Sequence, residues 1–93
     1  MSRPGELCCD VQDLPAPEPM NEVLKALEQI QPGGYVRMMH RMEPGPLYGV
    51  LRDMGYEYQI QLQGEAPFEL MIYHKGDELA LQRLAQAYGD LER

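Results

Sequence analysis

The chain has 93 residues, 44% hydrophobic and 25% charged, which suits one globular domain with a modest core. Fifteen Asp and Glu against eight scattered Lys and Arg give a net charge of −7, so the basic footprint of a nucleic-acid binder is missing and an anionic membrane surface is an unfavourable partner. No apolar run approaches a bilayer-spanning length and the N-terminal residues lack the apolar core of a secretion signal, so the expectation is a cytoplasmic protein with no nucleic-acid or membrane partner.

In chain order, residues 1–6 are expected to form a flexible tail, 7–75 the domain proper, and 76–93 a C-terminal helix packing on the sheet or on a partner. Leu7, Cys9 and Val11 are the buried parity of a first strand, with Cys8 and Asp10 on its other face. Pro17 and Pro19 then hold the residues before them, Ala16 and Glu18, extended, so a helix is predicted to start at Pro19. Met20, Val23, Leu24, Leu27 and Ile30 form its apolar stripe, and Pro32-Gly33-Gly34 ends it.

Tyr35 to His40 reads as a second strand, with Val36, Met38 and His40 on one face and Tyr35, Arg37 and Met39 on the other. After a loop from Arg41 to Gly45, Pro46 opens a second helix with the stripe Leu47, Val50, Leu51 and Met54, stopped by Gly55. Tyr56, Tyr58, Ile60 and Leu62 alternate with Glu57, Gln59, Gln61 and Gln63, predicting a third strand with one buried and one wet face. Phe68, Leu70, Ile72 and His74 alternate with Glu69, Met71 and Tyr73 in a fourth. Asp77 is a helix cap, and Leu81, Leu84, Ala85, Tyr88 and Leu91 mark the last helix.

The order β-α-β-α-β-β, with right-handed crossovers placing both early helices on one side, predicts an α/β (α+β) two-layer sandwich plus the extra C-terminal helix. If the second and fourth strands are neighbours, Tyr35, Met39, Met71 and Tyr73 make an apolar patch on the other sheet face. Such a patch calls for cover, from the last helix, from a helix exchanged in a homodimer, or from a partner.

The segment Asp10…Leu14-Pro15-Ala16-Pro17-Glu18-Pro19-Met20, continued by Gln31-Pro32-Gly33-Gly34, resembles the strand–turn–helix of the small bacterial SirA/TusA-like sulfur carriers. It is still more similar to a set of bacterial relatives, catalogued as a domain of unknown function, that carry Leu-Pro-x-Pro-Glu-Pro-Met and Glu-Pro-x-Pro-Leu-Tyr. Both motifs occur here, at Leu14–Met20 and Glu43–Tyr48. The resemblance covers roughly residues 7 to 75 and implies the carriers' mixed four-stranded sheet, with the second and fourth strands adjacent. It also implies that Ala16 stands where the carriers' cysteine accepts sulfur, and Asp13 where they usually have glycine. The carriers' chemistry is therefore not expected, and no enzyme activity is assigned.

In α/β sheets ligands gather beyond the carboxyl ends of parallel strands, where helix N-termini converge. The candidate ligand-binding residues there are Asp13, Ala16, Glu18, His40, Arg41, Glu43 and Tyr48. His40 and Arg41 suit an anion and Tyr48 can stack, whereas Glu18 and Glu43 favour a cation or serve only to stabilise helix starts. Cys8 and Cys9, the only thiols, read either as small buried strand residues or as a redox, metal or replacement sulfur site. Cys9 precedes Ala16 by seven mostly extended residues, at about 3.3 Å each, so a simple stand-in for the missing thiol is disfavoured. His40 with Glu43 supplies two ligands for a metal, and His40 with His74 is expected to be split between opposite ends of the sheet. No phosphate loop, dinucleotide fingerprint, Cys-x-x-Cys or Ser-His-Asp set is present. The reading is a small binding or accessory module without cofactor, catalytic residue or metal, its partner an unidentified protein or small ligand. The rivals are a sulfur-relay or redox protein acting through Cys8 and Cys9, and a small metal-binding protein using His40 and Glu43.

Overall fold

Prolines decide where both early helices begin. In the structure, a computed structural model that describes residues 3–89, α1 spans Glu18–Leu27 and α2 spans Gly45–Asp53, with Pro17 and Pro44 at the N-cap positions. Each helix thus starts one residue before the proline expected to open it, and Pro19 and Pro46 occupy the second helical position. The substitution costs nothing, because the first-turn N–H groups have no partner within the helix.

Between them run β1 (Glu6–Asp10), β2 (Tyr35–His40), β3 (Tyr56–Gln61) and β4 (Phe68–His74), followed by α3 (Glu78–Tyr88). The sheet is mixed, in the order β1-β2-β4-β3: β1 pairs parallel with β2, while β4 lies antiparallel to both β2 and β3. The expected two-layer sandwich and the neighbouring second and fourth strands are both present. One core lies between the sheet and the α1/α2 layer, where Val23, Leu27, Leu47 and Leu51 meet Val11, Val36, Met38, Leu70 and Ile72.

The ends of the predicted stripes differ from expectation for a common reason, which is position at an edge. Leu7 is exposed because β1 is an outer strand, Met54 because it follows the last turn of α2, and Leu62 because β3 stops at Gln61. Glu6, expected as the end of a tail, opens β1, and Gly5 already accepts a hydrogen bond from the Tyr35 N–H at 2.9 Å. Met1, Ser2 and Leu91 lie outside the described residues.

The second sheet face is covered by α3 of the same chain. Tyr35, Met71 and Tyr73 pack with Ala80 and Leu84, flanked by Leu81 and Tyr88. Met39, the fourth member of the predicted patch, instead lies at the far end of β2, where the Cys8 thiol is 3.6 Å from its sulfur. Polar ties fix α3 in place. Asp77 accepts from the Ala80 N–H through one oxygen and from the Gly33 N–H at 2.7 Å through the other, and Arg83 donates to the Gly33 carbonyl at 2.8 Å. Gly33 has φ +86, and a side chain there would run into Leu79 and Arg83, so only glycine fits this turn beneath α3. At the helix's other end the Tyr88 hydroxyl donates to Glu6, as does that of Tyr35.

The rest of this sheet face is also far from wet. Glu69 is fully buried and accepts a two-pronged hydrogen bond from Arg37 at 2.7 and 3.1 Å, with the Ala66 N–H at 2.9 Å as a further donor. Glu6 and Glu65 flank the same guanidinium at 3.8 and 3.7 Å. Gln59, expected on a solvated face, is buried and donates to the Tyr73 hydroxyl. Burial pushes the Glu69 pKa up, but the Arg37 and Ala66 hydrogen bonds outweigh it and hold the carboxyl below its usual 4.5.

Candidate functional site

The parallel pair β1 and β2 ends at Asp10 and His40, and the N-termini of α1 and α2 converge just beyond. Between them lies a mostly apolar cleft of about 250 Å³, formed by the proline-bearing helix starts together with Ala16, Met20, Met38, His40, Glu43 and Leu47. Of the candidate residues, Ala16, His40 and Glu43 line it. Asp13, Glu18 and Arg41 are exposed and outside its walls. Glu18 sits in the first turn of α1, where its charge favours the helix dipole. Tyr48 gives its hydroxyl to Glu43 at 3.1 Å but its ring to a different cleft at the β3 edge.

His40 is the cleft's buried polar group. Burial first, and then the neighbouring Arg41, lower its pKa below 6.5, so the ring is neutral at pH 7. Its Nδ1 accepts from the Arg41 backbone N–H at 2.8 Å, which places the proton on Nε2. Neutral imidazole, a peripheral carboxylate and a wall of methyl and thioether groups can bind and orient a small apolar group.

The thiols stand apart from this cleft. Cys9 packs against the core, and burial followed by Glu22 raises its pKa to about 11. Cys8 is exposed on the opposite parity of β1, and there too burial, only partly offset by Arg37, raises the pKa above 9. Neither is an activated thiolate at neutral pH. Alkylation with iodoacetamide, followed by mass spectrometry, is expected to modify Cys8 before Cys9, with rates still climbing about tenfold per pH unit between pH 7 and 9. Rapid modification that levels off below pH 8 would contradict this.

The two histidines are separated as expected. His40 pairs with Phe68 at one end of β4, whereas His74 ends that strand and pairs with Tyr56. Among the described residues no three His, Cys, Asp or Glu side chains are grouped as metal ligands, and His40 with Glu43 makes only a pair. No helix among the described residues is long and apolar enough to cross a membrane.

Fold and cleft together define a small α/β scaffold with a ligand-sized recess at two helix tips. The chain belongs to the family described as Uncharacterized conserved protein (DUF2249), which it matches over residues 9–74, more than two thirds of its length. The matched region contains the whole cleft and stops short of α3. No curated protein and no solved structure matches the chain.

Proposed function

We propose that this is a cytoplasmic, non-enzymatic binding or accessory module on a SirA/TusA-like sulfur-carrier scaffold from which the reactive thiol is missing. The observation that carries the reading is Ala16: a methyl group lies at the lip of a cleft whose frame, two helix N-termini over the ends of parallel strands, suits an anion or thiolate. The proline framework supports the kinship with the carriers, and the apolar walls support recognition in place of transfer. Candidate occupants are small apolar groups, either free or presented by a partner protein, with His40 and Glu43 as the polar contacts.

The test is a titration of isotope-labelled protein with small apolar ring compounds, mapped by backbone NMR shifts. Shifts are expected to concentrate at residues 16–20 and 38–47 and to vanish in an Ala16→Phe variant, which fills the cleft from an exposed position. Shifts scattered over the surface, or indifferent to that substitution, would overturn the reading. The exposure of Cys8 favours a sulfur-relay reading instead. Persulfide loading read by mass spectrometry separates the two, since only the relay predicts loading that disappears in the Cys8→Ser, Cys9→Ser protein.

A further inference from the structure

We propose that the cleft at the open edge of β3 is a second binding site, for a small planar aromatic ring that carries an anionic group. This recess of about 430 Å³ is distinct from the one at the helix tips and lies within the size range of small-molecule sites. Tyr48 from α2 and Tyr58 from β3 stack in it, with ring centroids 4.7 Å apart and planes inclined by 18°. Tyr56 adds a third ring to the wall. The hydrogen bond from Tyr48 to Glu43 holds the first ring in place, so the aromatic surface is preformed and a flat ligand extends an existing stack.

The charge at this place runs against the rest of the molecule. The chain carries nearly twice as many acidic as basic residues, yet Arg52 and Lys75 both line this cleft, against one carboxylate, Glu57. Neither cation has an ion pair among the described residues, and Arg41 has none either, whereas Arg3, Lys25 and Arg37 are all paired and Arg83 is held by a carbonyl. Two unpaired cations beside a stacked aromatic pair offer what a ring bearing a phosphate or carboxylate needs: π-faces for the ring and charge-assisted donors for the anion. β3 is an outer strand, so nothing in the sheet closes the approach.

The test uses flavin mononucleotide as the ring-plus-anion probe, riboflavin as the ring alone and inorganic phosphate as the anion alone. Binding is followed by quenching of flavin fluorescence and by backbone shifts. Flavin mononucleotide is expected to bind at least about tenfold more tightly than riboflavin, the margin of one charge-assisted contact. Shifts should centre on Tyr48, Arg52, Tyr58 and Lys75. An Arg52→Gln, Lys75→Gln protein, altered only at exposed positions, should lose that margin while holding riboflavin as before, and Tyr58→Leu should weaken both flavins. Equal affinity for the two flavins, no binding of flavin mononucleotide at millimolar concentration, or shifts confined to residues 16–20 and 38–47 would each overturn the proposal. Because Ala16→Phe fills only the other cleft, it should leave flavin binding unchanged, so the two sites succeed or fail separately.

Discussion

Exchanging Arg37 for methionine is expected to destabilise the protein by about 3–5 kcal/mol, the cost of leaving a buried carboxylate without its cation. Glu69 is completely buried and Arg37 nearly so, and the two-pronged hydrogen bond between them is the shortest ion pair among the described residues. Urea unfolding at pH 7 measures the loss. The double variant Arg37→Met, Glu69→Met should recover at least half of it, because two apolar side chains can fill the buried volume of the pair without leaving a charge behind. The gap between wild type and the single variant must also narrow in acid. In the wild type the Glu69 pKa is depressed, so the stability it confers is present above about pH 4.5 and is lost as pH falls through the folded value. In the variant burial is opposed only by the backbone N–H groups of Ala66 and Glu65, so the pKa rises relative to wild type and protonation relieves the penalty over the same descent. A single variant as stable as wild type, or a gap that widens on acidification, would show that the pair does not support the fold.

This ion pair marks the limit of what the chain discloses one residue at a time. Alternation from Tyr56 to Gln61 and from Phe68 to His74, and the apolar stripes of α1 and α2, were legible because a half-buried element must repeat its apolar positions at its own period. The helix starts were legible to within one residue because proline constrains the local backbone whatever surrounds it. Arg37 and Glu69 carry no such mark. Each is an ordinary polar residue on the face opposite the main core, and they meet only because β2 and β4 are adjacent in a register that pairs Arg37 with Met71 and Met39 with Glu69. They are buried only in the folded chain, where the turn around Gly64 and Ala66 closes over Glu69 and the Tyr88 ring of α3 lies 6.0 Å from the Arg37 guanidinium. Opposite charges at the same parity of two strands expected to pair were the available signal.

The candidate site divides along the same line. Ala16, His40 and Glu43 come together because local turns place them at the tips of neighbouring elements. Tyr48 was drawn to the same tips by its nearness in sequence, but the ring points away because Tyr58, ten residues later and on another element, stacks against it. Arg52, Tyr58 and Lys75 have no common motif, so the second cleft exists only in the folded chain.

The Leu84→Ala substitution carries the other large expectation, a loss of about 2–5 kcal/mol, because its side chain is entirely buried against Tyr35, Met71 and Tyr73 and leaves a cavity when truncated. The same change at the exposed Leu79 in the first turn of α3 should cost less, which separates a packing effect from a general loss of helix propensity. Combining Leu84→Ala with Met71→Ala is expected to give a non-additive loss, with coupling of about 0.5–3 kcal/mol, since the two side chains share one cluster. Chemical denaturation of the wild type, the Leu84→Ala, Met71→Ala and Leu79→Ala variants and the double variant supplies these numbers, and amide exchange at residues 78–88 shows whether α3 opens before the sheet. Should Leu84→Ala cost under about 0.5 kcal/mol, like a surface change, α3 would not be docked on this face. Tyr35, Met71 and Tyr73 would then be exposed, and self-association of the protein would be the expected consequence. A full-sized loss instead means that α3 holds this sheet face closed, which withdraws Tyr35, Met71 and Tyr73 from contact with any partner.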